Sequence, residues 1–180
     1  MAEFDKFSES YSRVLDESFV GESSATDFAR QKISKAKKLT TLTELSPVAL
    51  DFGCGVGLAL PYIAEFFKPS RLMCADTSQA CLSKVSQNFE DPIETFHLRQ
   101  AFDYPNQDID LVFLSCVLHH ITVSERKFWL SEIYNAMKKG GELFIFEHNP
   151  WNPVTQHIVK RSPLDSDAIL LRRSEALDLC

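Results

Sequence analysis

Asp51 stands two residues ahead of Gly53, and Gly53, Gly55 and Gly57 alternate with Cys54 and Val56 directly after the apolar run VALDF. Glycines in that rhythm let a chain leave a strand through backbone conformations closed to other residues. They also bring the backbone close to a bound molecule, as in nucleotide sites of parallel α/β sheets. The carboxylate sets the charge of that molecule. A dinucleotide site seats a pyrophosphate on the following helix N-terminus, and Asp51 would repel such an anion. The spacing disagrees as well, because the third position of G-x-G-x-x-G falls on Leu58 counted from Gly53 and on Leu60 counted from Gly55. A cationic ligand fits better. A second acid, Asp76, closes the run RLMCAD nineteen residues beyond Gly57, near the spacing of about 20 expected of a carboxylate that takes ribose hydroxyls.

An acidic-x-Gly-x-Gly-x-Gly turn closing a first strand resembles motif I of the class I S-adenosylmethionine-dependent methyltransferases. S-adenosylmethionine carries an ammonium and a sulfonium and no phosphate. The resemblance implies that Asp51 holds the methionine end, largely through its amino group, with Gly53, Cys54, Gly55 and Gly57 lying along the cofactor. It implies that Asp76 and Thr77 take the ribose, although Asp76 alone could equally cap the helix that begins near Ser78. After the third strand the family offers the adenine a polar residue, often an Asp within G-D-A. This chain has Arg99-Gln100-Ala101-Phe102-Asp103 instead, so the adenine is assigned to the Gln100 side-chain oxygen, the Ala101 backbone and the Phe102 ring. DIDLVFLSCVLHHI is similar to the family's fourth-strand segment, which places Cys116, Val117 and Leu118 along the methionine part, followed by His119 and His120. AMKKGGELFIFEHNPWNP resembles the turn into strand five, from which Glu147, His148 and Asn149 emerge beside the transferable methyl, with Trp151 near the acceptor. The stretch around Tyr11 and Phe28 resembles the helical lid found ahead of motif I, and Tyr11 is assigned to the acceptor pocket.

Methyl transfer is an in-line displacement at a carbon already activated by sulfonium, so alignment and exclusion of water are the protein's main tasks. For a hydroxyl or amine acceptor, a base drawn from His119, His120 or His148 adds a factor of about 10² to 10⁴. The bland reading of each histidine is a satisfied structural side chain. No metal site is expected: neighbouring side chains on a helix diverge, and no further His or carboxylate stands at ligand spacing. The expected function is methyl transfer from S-adenosylmethionine to a small-molecule acceptor. Two other functions share the motif, a cofactor-binding protein without turnover and, against the evidence of Asp51, an NAD-dependent oxidoreductase.

The elements that must position these residues follow from periodicity. Phe4, Phe7, Tyr11 and Val14, and again Phe28, Ile33, Ala36 and Leu39, recur at helical steps. From Val48 onward short apolar runs alternate with amphipathic stretches, the pattern of βαβ units. Strands are expected at 48–52, 71–75, 94–98, 109–115 and 142–147. A helix over 58–67 tolerates Pro61 near its start. Another, opened by a Thr122–Glu125 capping box, should end at Lys138 and Lys139, with Gly140 as its left-handed stop. The result is a doubly wound, Rossmann-like, mainly parallel sheet, and the resemblance implies the order 3-2-1-4-5. Strand C-termini then converge on one cleft.

The chain is 180 residues long, 44% hydrophobic and 24% charged, enough for one domain with a substantial core. We divide it into a helical lid (1–45), a cofactor-binding core (46–150) and a helical tail (151–180). The family's last two strands, one of them antiparallel, have no room, so the chain reads as C-terminally shortened. Strand five, with Leu143 to Phe146, then becomes an apolar edge that the tail or a second copy should cover, the latter giving a homodimer. A net charge of −6 disfavours nucleic acid as a partner. The basic run Arg30, Lys32, Lys35, Lys37, Lys38 reads as a solvated face. Five scattered cysteines without CxxC read as reduced thiols of a cytoplasmic protein, and no apolar run is long enough to cross a bilayer.

Overall fold

The computed structural model describes residues 24–43, 45–89 and 91–179, so the expected helix with Phe4, Phe7, Tyr11 and Val14 lies outside the described residues. Five strands form one sheet: β1 (Val48–Phe52), β2 (Arg71–Asp76), β3 (Glu94–His97), β4 (Ile109–Ser115) and β5 (Met137–Phe146). Their order is β3-β2-β1-β4-β5 and every pairing is parallel, as expected. The central strands are mostly apolar, with buried acids only at Asp51, Asp76 and Asp110, because helices cover both faces, the usual condition of a parallel sheet.

Side-chain alternation splits the core into two layers. Ala49, Leu72, Cys74, Leu111 and Phe113 face three helices, α1 (Ala25–Leu39), α2 (Leu60–Phe67) and α3 (Gln79–Asn88). Leu50, Phe52, Met73, Val112 and Leu114 face α4 (Arg126–Ala136), through Leu130 and Ile133. Asp51 therefore points to the α1 side and Phe52 to the α4 side, which decides what each can touch.

The helices begin and end for local reasons. Ser24 and Asp27 form a capping box for α1, and at its far end the Thr40 hydroxyl and the Thr41 amide donate to the Glu142 carboxylate at 2.6 and 2.7 Å. That contact ties α1 to β5. Helix α2 carries Pro61 in its first turn, where no amide donor is needed, and stops at Lys68 in the left-handed region. Ser78 caps α3 by accepting from the Cys81 amide at 3.1 Å.

Two expectations around α4 are corrected. The Thr122 hydroxyl does bind the Glu125 carboxylate, but α4 begins only at Arg126 and has no side-chain cap. The helix also ends at Ala136, not at Lys139, because Met137 is already paired with Ile109 as the start of β5. The register shifts between Ile109 and Leu111, and this irregularity takes up Gly140, at φ +86°, and Gly141. A Cβ on Gly141 would stand 2.9 Å from the Ile109 carbonyl oxygen. Gly140 is left-handed as expected, but it serves a bulge rather than a helix stop. Asp110 secures this junction by accepting from the Val48 amide at 2.9 Å and from Lys138 Nζ at 3.0 Å.

The tail is helical, with α5 (Pro153–Arg161), a 3-10 turn at Pro163–Asp165 and α6 (Arg173–Leu177). It crosses the rim at the C-terminal ends of β4 and β5. Ile169 N donates to His119 O at 2.8 Å, and Arg126 Nη2 donates to Ile169 O at 2.7 Å. Among the described residues no sixth strand pairs with β5, and none of the helices is long and apolar enough to cross a membrane.

Candidate active site

The glycine turn is built as its residues require. Gly53, Gly55 and Gly57 have φ of +75°, +53° and +82°. The Gly53 and Cys54 amides both donate to the Ala75 carbonyl, at 2.7 and 3.1 Å, which fastens the turn to the end of β2. A Cβ on Gly53 would lie 2.5 Å from Cγ2 of Val117, a β-branched neighbour with little freedom to move. Left-handed strain together with overpacking predicts that Gly53→Ala costs about 2–3 kcal/mol, read as a fall of about 5–10 °C in thermal unfolding. An unchanged Tm would contradict this packing.

Both acids of the motif are buried at the mouth of the turn. Asp76 Oδ2 accepts from the Gly55 amide and Oδ1 from the Ser78 amide, each at 2.8 Å. Asp51 is only 2% exposed. Burial, then the charge of Asp76, pushes its carboxyl up to about 7, with Lys32 pulling in the other direction. Lys32 was expected on a solvated face. It is instead half-buried, and its ammonium donates to Ser115 Oγ at 2.7 Å and to Cys116 Sγ at 3.2 Å.

Two cavities flank this turn. One, of about 240 Å³, is lined by Gly53, Gly55, Asp76, Thr77, Leu98, Val117, Ile121 and Trp129. The other, of about 260 Å³, is lined by Asp51, Lys32, Cys54, Phe28, Glu147, His148, Ile158 and Asp165. They share Gly53, Ser115, Cys116 and His120 as a common wall. Cys116 sits on that wall at φ +61°. Burial raises its thiol, but the Lys32 ammonium and a hydrogen bond with His148 prevail and bring it down to about 7.

Beyond Cys116 the rim carries a histidine cluster organised by Glu147. One Glu147 oxygen accepts the Val117 and Leu118 amides at 3.0 and 2.7 Å, and the other meets His119 Nδ1 at 2.6 Å. The opposite ring nitrogen, Nε2, lies 3.3 Å from Asp165 Oδ1. Burial opposes a charge on His119, yet Asp165 and Glu147 outweigh it and raise the imidazole to about 9. Burial and then the His119 charge push His120 down to about 4. The His148 ring stands 5.0 Å from that of His119.

Most expected residues thus meet on one rim, and some do not. Gly57 turns inward, where an added Cβ would strike Leu60 and Val85. Gln100 and Ala101 lie on an exposed loop outside both cavities. Phe102 is 5% exposed, stacked on Tyr104 at 5.6 Å and edge-on to Phe52 and Phe96, so its ring belongs to the core. Leu98, Ile121 and Trp129 supply the apolar wall instead. Asn149 spends its side chain on the Trp151 amide at 3.0 Å. Trp151 is 72% exposed under the Arg172 guanidinium, and neither Asn149 nor Trp151 lines either of these two cavities. Tyr11 lies outside the described residues. Lys32, Trp129 and Asp165 were not anticipated. Only Lys32 had a signal, since it follows Ala25 and Ala29 on the helical stripe that leads to Ala36.

A family model described as "Methyltransferase domain" matches residues 50–143, from β1 into β5. The chain belongs to the methyltransferase-domain family. It is a class I methyltransferase whose methyl donor is S-adenosylmethionine. No curated protein is significantly similar to it in sequence. Among solved structures, the methyltransferase is similar to the complex between the Haloferax volcanii Trm112 methyltransferase activator and a candidate methyltransferase, with 15% identity, TM-score 0.74, and 99% of this chain and 74% of that one covered. It is also similar to Haemonchus contortus phosphoethanolamine N-methyltransferase 2 in complex with S-adenosyl-L-methionine, with 16% identity, TM-score 0.70, and 99% and 43% covered. An Archaeoglobus fulgidus SAM-dependent methyltransferase gives 17% identity, TM-score 0.66, and 86% and 66% covered. The chain thus spans under half of the Haemonchus contortus enzyme.

Proposed function

We propose that this methyltransferase transfers the methyl group to a small molecule bound in the larger cavity. The observation that carries this reading is the pair of buried carboxylates flanking the glycine turn, one facing each cavity. Asp76 and Thr77 take the ribose, Leu98, Ile121 and Trp129 enclose the adenine, and Asp51 holds the amino group of the methionine moiety. The cofactor then crosses the shared wall beside Gly53 and Cys116, bringing its methyl toward His148. The larger cavity is closed by α1 and α5, with Phe28 and Ile158 as apolar walls and Lys32, His148 and Asp165 as polar ones. At about 260 Å³ it suits a compact acceptor rather than a polymer.

Within this frame His148 is the general base, because it lines the acceptor cavity while the His119 ring is engaged by two carboxylates. Labelled S-adenosylmethionine supplied with a low-molecular-weight metabolite fraction is expected to label small molecules. His148→Ala should lower turnover about a hundredfold and leave cofactor affinity unchanged. Label confined to nucleic acid or protein, or an unchanged turnover, would contradict the reading. Self-association is assigned to the edge of β5, with which no sixth strand pairs among the described residues, and this predicts a particle of twice 20.4 kDa in light scattering.

A further inference from the structure

We propose that His119, His120 and Asp165 form a site for a divalent transition-metal ion, best matched to zinc, in the wall of the acceptor cavity. The proposal goes beyond methyl transfer and does not depend on it. It also reverses the expectation of no metal. That expectation rested on a helix, whereas Leu118–His120 is a 3-10 turn that brings the two imidazoles to 4.1 Å between ring centres. The missing carboxylate comes from the tail. The 3-10 turn Pro163–Asp165 delivers Asp165, and the backbone bond from Ile169 to His119, with the Arg126 clamp on Ile169, anchors the segment next to it.

The distances are those of a ligand set. Asp165 Oδ1 lies 3.3 Å from His119 Nε2 and 3.5 Å from His120 Nε2. Ligand atoms about 2.0–2.1 Å from a tetrahedral zinc stand roughly 3.4 Å from one another. All three donor atoms fall within 4.8 Å of one another, so closing the set needs only small side-chain movements. The surroundings are also those of a metal histidine. His119 meets Glu147 through Nδ1 at 2.6 Å, and Glu147 is itself fixed by the Val117 and Leu118 amides. This is the outer carboxylate that fixes the tautomer and orientation of a zinc-bound imidazole. Without metal, the His119 Nε2–H faces Asp165, and an entering ion releases that proton to solvent. Two imidazoles and one carboxylate favour zinc over magnesium or calcium, which prefer oxygen. Because His120 and Asp165 line the larger cavity, the fourth position is left to a water or to a heteroatom of a bound molecule.

The test is a titration of the full chain, stripped with chelator, with Co²⁺ and then Zn²⁺. One equivalent of Co²⁺ should develop the visible bands of a four-coordinate site, and one equivalent of Zn²⁺ should abolish them. Asp165→Asn and His120→Ala should each weaken binding at least about a hundredfold, with folding confirmed by circular dichroism. His157→Ala, on an exposed histidine of α5, should bind as the parent does. The assignment is overturned if the parent protein binds neither ion more tightly than about 10 µM, or if folded Asp165→Asn and His120→Ala bind as tightly as the parent. The titration needs neither cofactor nor acceptor, so its failure would leave the methyltransferase reading standing.

Discussion

Replacing Asp51 by Asn should weaken S-adenosylmethionine binding at least a hundredfold and, at the same time, make the unliganded protein more stable. The loss follows from removing one partner of a desolvated charge pair, which costs about 2–5 kcal/mol. The gain follows from the raised carboxyl, which sits at about 7 in the fold against an ordinary value of 3.8. Between those two values the folded state holds more protons than the unfolded one, so this group lowers stability as pH rises from about 4 to 7. Its cost is constant above that, at up to about 4 kcal/mol. Asn carries no charge and escapes the cost. The same titration makes cofactor binding depend on pH. The ammonium needs the ionised carboxylate, so affinity should fall about tenfold per unit below pH 7 in the parent and stay flat in Asp51→Asn. Calorimetric titration from pH 5.5 to 8, with urea unfolding at pH 8, reads both effects. A variant that binds normally, or that is less stable at pH 8, would remove Asp51 from the centre of the account.

Glu147→Gln should be the most damaging single change at the rim. The carboxylate accepts two backbone amides with one oxygen and His119 with the other, and it is held below the usual carboxylate range: burial works against the charge, but His119 and both amides outweigh it. Gln can satisfy the amides through its carbonyl, but its NH₂ then faces the Nδ1 of His119, donor against donor. Breaking a buried ion pair from one side costs about 3–5 kcal/mol. For a chain of 180 residues this corresponds to a Tm lowered by about 10 °C or more. Because the two amides belong to Val117 and Leu118, the damage should reach the cofactor wall, and binding of S-adenosylhomocysteine should weaken in parallel. A Tm within about 2 °C of the parent would show that the amides, not the ion pair, carry this junction.

The five strands and the glycine turn were legible in the sequence because they rest on local patterns, whereas the sheet order came only with the family resemblance that the glycine turn carries. Apolar runs of five to seven residues, bounded by turn residues and alternating with amphipathic stretches, fit buried parallel strands. Asp51 and Asp76 were legible because both stand at strand ends, where the fold rule brings ligands. What escaped was set by long-range packing. Phe102 was expected on the adenine. Its neighbours Phe96 and Tyr104 are local, but Phe52 comes from the distant β1, and together they draw the ring into the core. Asp165 lies 46 residues beyond His119, and no periodicity links the two. The start of β5 at Met137 was hidden by a helical pattern that continues through Lys138 and Lys139, and only pairing with Ile109 ends the helix at Ala136.

In the proposed function the Asp51 carboxylate reads a cation while the neighbouring Asp76 reads a ribose. A crystal structure with S-adenosylhomocysteine tests it most directly. The amino group of the homocysteine moiety should lie about 3 Å from an Asp51 oxygen, or one water away, with both ribose hydroxyls on Asp76. A ligand whose carboxylate, or whose phosphate in a parallel soak with NAD, rests beside Asp51 and residues 53–57 would contradict it.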